Sequence, residues 1–118
     1  MDQNGKVSII LPICNETNID SIVISLNSII SQSFTNLEII IVNGSNDGSF
    51  GAVNKVSDRR IRIVDHKDSN QGIIMTLNEG IKAASGEYLT WLKCGEKFGS
   101  EYLSTRLNQP HTQFFGKN

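Results

Sequence analysis

Cysteine is scarce in this chain of 118 residues: Cys14 and Cys94 are the only two, and they form no CxxC pair. That excludes a disulfide scaffold. Charge of one sign is missing as well, with 11 Lys and Arg against 12 Asp and Glu and a net charge of -1. A nonspecific nucleic-acid binder carries a positive excess, so that class is set aside. Long apolar runs are absent too. The stretch from Val7 to Cys14 is broken by Ser8 and Pro12 and lacks the h-region of a signal peptide. No segment approaches the 18 or so apolar residues of a membrane span. The expected setting is a reducing cytoplasm, at most against the inner face of the membrane. Aromatics reach only 7%, but 16 Ile and 6 Val support a hydrophobic fraction of 38%. Branched aliphatic content of that kind excludes long disorder. The length suits one domain, here residues 1–107, followed by a polar tail over 108–118.

The apolar spacing alternates between two periods. Val7 to Leu11 is β-branched and nearly continuous, as strands covered on both faces are, and Pro12 is expected to end its ladder. Ile19, Ile22, Val23, Leu26, Ile29 and Ile30 form a helical stripe, with Thr17 as N-cap and Asp20 three residues on. Leu37 to Val42 reads as a second buried strand, and Asn43 to Gly48 as a dense turn. A short helix over 49–56, with Phe50 and Val53 inward, leads to a strand at 61–64. A helix over 73–84 is expected to turn Ile74, Leu77, Ile81 and Ala84 inward, with Gly86 as its C′ residue. Residues 87–92 make a fourth strand, with Trp91 in the core, and 100–107 a last helix. This alternation predicts an α/β fold: a Rossmann-like parallel sheet of about four strands with helices on both faces.

In such sheets ligands bind beyond the carboxyl ends of the strands. Four polar clusters fall there: 12–17, 43–48, 65–72 and 93–97. The first has no glycine, so neither the dinucleotide fingerprint nor the P-loop is present. His66 and His111 are too isolated for a metal pair or a triad, and no elbow motif presents a serine nucleophile. The rim offers Asn15, Glu16, Asn43, Ser45, Asp47, Asn70 and Glu96, groups suited to hydrogen-bonding a base and a ribose.

Three segments, VSIILPICNET, LEIIIVNGSNDGS and QGIIMTLNEGIKAASGEYLTWL, resemble the N-terminal half of family 2 glycosyltransferases. The likeness covers about residues 6 to 98, in order and in register. It implies the nucleotide-sugar-binding half of a GT-A fold and transfer of a sugar to a glycan or polysaccharide acceptor, with inversion. The matching candidates for nucleotide-sugar contact are Ile13, Asn15 and Glu16 in the first loop, Asn43, Ser45 and Asp47 in the second, and Gly72. The fourth loop of the family holds Mg²⁺ or Mn²⁺ on the diphosphate through an acidic pair. Here Lys93 and Gly95 take the places of that pair and Glu96 is the acid that remains, so Glu96 is the candidate ligand and Lys93 a candidate diphosphate contact. Cys14 replaces the family's aromatic, and the second turn is one residue shorter.

The family extends to about twice this length, so no residue here matches its catalytic base. A catalytically inactive relative, serving as a nucleotide-binding or protein-interaction module, is the second reading. A receiver-like module is a third, for which Glu16 and Asp47 supply no convincing acidic cluster. The likeness also sets the first and fourth strands side by side, with Cys14 and Cys94 close on one rim. It leaves 87–92 as a sheet edge, which the tail around Phe114–Phe115 or a second copy of the chain is expected to cover.

Overall fold

The computed structural model describes residues 5–15, 18–46, 48–65, 72–107 and 115–116. They form a five-stranded sheet of β1 (Val7–Cys14), β2 (Leu37–Gly44), β3 (Ile61–Asp65), β4 (Tyr88–Trp91) and β5 (Phe115–Gly116), in the order β3-β2-β1-β4-β5. The first four strands are parallel, as expected, and β5 runs antiparallel to β4. The helices are α1 (Ile19–Ile30), α2 (Gly72–Ala83) and α3 (Tyr102–Leu107), with a 3-10 helix at Ser49–Lys55.

Alternation along the central strands sorts the core into two layers. Ile9, Leu11 and Ile13 of β1, with Ile39 and Ile41 of β2, face α1, α3 and the 3-10 helix. Ile10, Ile40 and Val42 face Leu77, Ile81 and Ala84 on the α2 side. Covered on both faces, these strands carry branched aliphatics at nearly every position, and each fully buried side chain contributes roughly 1.5–3 kcal/mol.

Several local expectations are corrected. Asn18, not the preceding threonine, caps α1: its Oδ1 accepts from Asp20 N at 2.8 Å and Ser21 N at 3.3 Å. Pro12 does not end β1, which continues to Cys14 beside β2. The even residues of β1 direct their backbone groups toward β4, as the bonds Glu87 N→Lys6 O and Leu92 N→Ile10 O show. The β1–β4 ladder covers only Val7 to Ile10. The missing Pro12 N–H therefore faces a side where no strand continues, and no rung is lost. On α2 the inward positions are Thr76 and Gly80, with Leu77 and Ile81 half-buried, while Ile74 is 65% exposed. Trp91 is 41% exposed, because α2 covers it only partly and β5 pairs only with Tyr88 and Leu89. That β5 segment shows what covers the start of the β4 edge: the chain's own Phe115–Gly116, not a second copy.

On the amino-end side of the sheet Arg60 closes a knot. Its Nε and Nη2 donate to Asp58 at 2.9 and 3.0 Å, Nη2 also donates to Ile30 O at the end of α1, and Nη1 donates to Thr35 O. Arg60→Ala is expected to lower stability by about 1.5 kcal/mol. The hydrogen bonds from Arg60 hold Asp58 down from its ordinary 3.8 to about 2. A depressed carboxylate stabilises above its ordinary value and stops doing so as pH falls through the folded one. The gap in urea midpoint between wild type and variant should therefore narrow as pH falls from 3.8 toward about 2, leaving the share due to Ile30 O and Thr35 O. An equal gap at both ends of that range would count against the pair.

Candidate functional site

The carboxyl ends of β1 and β4 border a cleft of ≈ 330 Å³. Pro12, Cys14 and Asn15 form one wall, and Lys93 and Cys94 the other. Asn18 and Ser21 bring in the start of α1, and Ile73 the first turn of α2. The cleft exists because β1 outruns β4: β1 pairs with β2 as far as Cys14 but with β4 only as far as Ile10.

Helix α1 holds the β4 wall in place. Ser25, fully buried, donates to Glu96 O at 2.6 Å and accepts from Gly95 N at 3.0 Å. Ser28 Oγ accepts from Phe98 N at 3.2 Å. Within the loop, Glu96 N donates to Lys93 O at 2.9 Å and Lys93 N donates to Glu96 Oε1 at 3.0 Å. The turn between them uses Gly95 at φ 98°, a conformation that glycine adopts without strain. Lys93 is exposed on the cleft wall.

The opposite wall is tied to the loop after β2. Register places Cys14 beside Gly44, so Asn15 lies next to Asn46. The two exchange a reciprocal pair: Asn15 Nδ2 donates to Asn46 Oδ1 and Asn46 N donates to Asn15 Oδ1, both at 2.7 Å. Asn43 organises the turn itself, accepting from Ser45 N at 3.2 Å and Ser45 Oγ at 2.9 Å, and its Nδ2 reaches Asp65 at 3.4 Å.

Of the residues singled out from sequence, Asn15 and Lys93 line the cleft together. Asn43 and Ser45 stand one strand away, half-buried in their own turn. Ile13 has no exposed surface and packs in the core, so any contact from it is by main chain. Gly72 starts α2 at φ 86°, with open space where a Cβ would be, so its glycine answers to backbone conformation, and Ile73 lines the cleft instead. Glu16 and Asp47 lie outside the described residues. Asn18, Ser21 and Asn46 were not foreseen as site groups. Asn18 was within reach, since asparagine is among the best N-caps. The Asn15–Asn46 pair was not, because it depends on the β1–β2 register.

Cys14 and Cys94 do flank the same cleft, both as free thiols. Cys14 contacts Thr76 Oγ1 at 3.7 Å and Cys94 contacts Pro12 O at 3.6 Å. Burial, and then the neighbouring Cys14, push the Cys94 thiol up to about 12, so it stays protonated and neutral at physiological pH.

The cation that the sequence resemblance implies meets a poor donor set here. Glu96 is a single carboxylate with one oxygen already on Lys93 N, and the loop carries an ammonium. Among the described residues no three His, Cys, Asp or Glu side chains come together. Hard divalent cations want several oxygen ligands. No described helix is long and apolar enough to cross a membrane.

Residues 8–93 match the family described as Glycosyl transferase family 2. The chain is 32% identical over 103 residues to the glycosyltransferase GlyA of Streptococcus pneumoniae serotype 4, covering 86% of this chain and 14% of that protein. It is 30% identical over 106 residues to an uncharacterized glycosyltransferase of Haemophilus influenzae, covering 86% of this chain and 41% of that protein. The chain thus spans less than half the length of these relatives. Among solved structures, mannosyltransferase PcManGT from Pyrobaculum calidifontis, in complex with GDP-Man and Mn²⁺, aligns with a TM-score of 0.76 at 24% identity, over 90% of this chain and 33% of that one. S. aureus TarS 1-349 in complex with UDP-GlcNAc aligns with a TM-score of 0.73 at 24% identity, over 86% of this chain and 30% of that one. The fold is therefore the one these GT-A transferases share.

Proposed function

The chain belongs to glycosyl transferase family 2, and from that footing we propose that its rim cleft binds a nucleotide-diphosphate sugar as the donor side of a transferase. The observation that carries this reading is the cleft itself. It lies at the carboxyl rim of a parallel sheet and brings together Asn15, Lys93 and the first turns of two twelve-residue helices. Helix starts present partial positive charge, which suits phosphate, and at α1 the Asn18 cap already takes two of the first-turn N–H groups. The Asn15–Asn46 and Asn43–Ser45 clusters supply directional donors and acceptors that suit a base and a ribose. Glu16 and Asp47 stay in the proposal with them, as do the main chain of Ile13 and Gly72.

On this reading the sugar passes with inversion to a glycan or polysaccharide acceptor. Within the described residues the chain's part is to hold and orient the donor. A divalent cation on the diphosphate, with Glu96 as a ligand, belongs to the wider family reading; the loop geometry supports it poorly. One carboxylate in place of an acidic pair also favours a second reading, a relative that binds nucleotide without turnover.

Thermal unfolding in the presence of UDP, GDP, dTDP and CDP tests the proposal. One nucleotide at a hundredfold excess over its Kd is expected to add about 2.7 kcal/mol of stability. Asn15→Ala should reduce that gain. Four flat profiles, with and without Mn²⁺, would sink the donor reading. Release or transfer of sugar from the matching donor would separate an enzyme from an inactive binder.

A further inference from the structure

We propose that the cleft takes the diphosphate without a divalent cation, the Lys93 ammonium supplying the positive charge. This rests on the nucleotide reading above and goes one step beyond it. Three observations converge.

Among the described residues that line the cleft, Lys93 is the one with a charged side chain. The nearby acid, Glu96, is folded back on its own loop, with Oε1 on Lys93 N at 3.0 Å. That bond is part of a turn secured from α1 by Ser25, which binds both Glu96 O and Gly95 N. Turning the carboxylate into the cleft to hold a cation would break a bond that shapes the Lys93 wall.

Among the other described lining residues there is no carboxylate. Asn15, Asn18, Ser21 and Ile73 are neutral. The first turns of α1 and α2 open onto the same space. An ammonium opposite two helix starts favours a polyanion, and Asp20 in the first turn of α1 offsets only part of that field. A divalent cation brought to the same cleft meets the like charge of Lys93 on its wall. Lysine serves phosphate well as a point charge on a flexible stem, and it needs no fixed ligand geometry.

Calorimetric titration of the whole chain tests this. UDP, GDP, dTDP and CDP are titrated in EDTA and again in Mn²⁺, with the corresponding nucleosides alongside. The nucleotide that binds is expected to do so in EDTA with a Kd within about twofold of its value in Mn²⁺. Lys93→Ala should weaken the diphosphate by about tenfold or more while leaving the nucleoside unchanged, and Lys93→Arg should hold most of the affinity. The side chain is exposed, so these variants should fold, and their unfolding midpoints check it. Binding that appears only with Mn²⁺, or that tolerates Lys93→Ala, overturns this inference and leaves the donor site standing. Silence from all four nucleotides in both buffers overturns the donor reading and this inference with it.

Discussion

Gly86→Ala is expected to lower folding stability by about 3 kcal/mol, the upper end for an overpacked position. The cause is a close approach between chains. A Cβ on residue 86 meets Lys6 O at 2.7 Å, Ser8 Oγ at 2.7 Å and Ser8 N at 2.8 Å. Two of those atoms are main chain at the start of β1, in the middle of the sheet, and cannot step aside. The change also pushes Gly86 N away from Ser8 Oγ, its acceptor at 2.8 Å. Gly51→Ala is the control, since nothing lies within 4 Å of a Cβ there, and it should shift stability by less than about 0.5 kcal/mol. Urea midpoints at constant m report both. If alanine at 86 unfolds with the wild-type midpoint, the close approach has been misjudged.

The second large effect is at the same junction, seen from β2. Glu38 Oε1 accepts from Ser8 Oγ and from Ser85 N, both at 2.8 Å, and Oε2 accepts from Ser85 Oγ at 3.0 Å. Arg62 Nη1 stands 3.7 Å away. Ser8 has no exposed surface, so Glu38→Ala strands its hydroxyl proton, while the Ser85 groups can turn to water. The expected loss is about 2 kcal/mol. Burial alone raises the Glu38 pKa, but the hydrogen bonds from Ser85 and Ser8 outweigh it and the net shift is below the ordinary 4.5. The contribution is therefore complete above that value and fades as pH falls below it. Wild type should lose stability over that range faster than Glu38→Ala. Because Gly86 N, Ser8 Oγ and Glu38 form one relay, the double variant should be less damaged than the two single losses combined.

This junction shows what was legible in the chain and what was not. Gly86 stood out, but as a helix stop. In the structure its φ is not positive, unlike Gly48, Gly72 and Gly95. The need for glycine comes from Lys6 and Ser8, far away in the chain, and periodicity carries no sign of them. The strands themselves were readable, because Ile9 to Leu11 and Ile39 to Val42 are covered on both faces and show it as unbroken aliphatic runs. From them the parallel sheet and its rim followed. Trp91 was misplaced for the opposite reason: its burial depends on how far a neighbouring strand extends, and β5 stops short of it. At the site, Asn15 and Lys93 were visible as polar residues after strands. Their position across one cleft came from β4 ending early, and the partnership of Asn15 with Asn46 from the β1–β2 register.

Pro12 has a meaning during synthesis as well as in the finished sheet. β1 and β2 leave the ribosome long before β4 does, so the flank of β1 that will receive β4 is open for most of that interval. An open flank of a strand this apolar is a template for the wrong partner. Lys6, Ser8, Ile10 and Pro12 supply its main-chain groups, and at Pro12 there is no N–H to offer. The outer part of that flank therefore cannot be extended by a stray strand. What remains open, from Val7 to Ile10, is the length that β4 later occupies. One residue thus limits what the nascent strand can pair with and keeps backbone out of the place where the cleft forms.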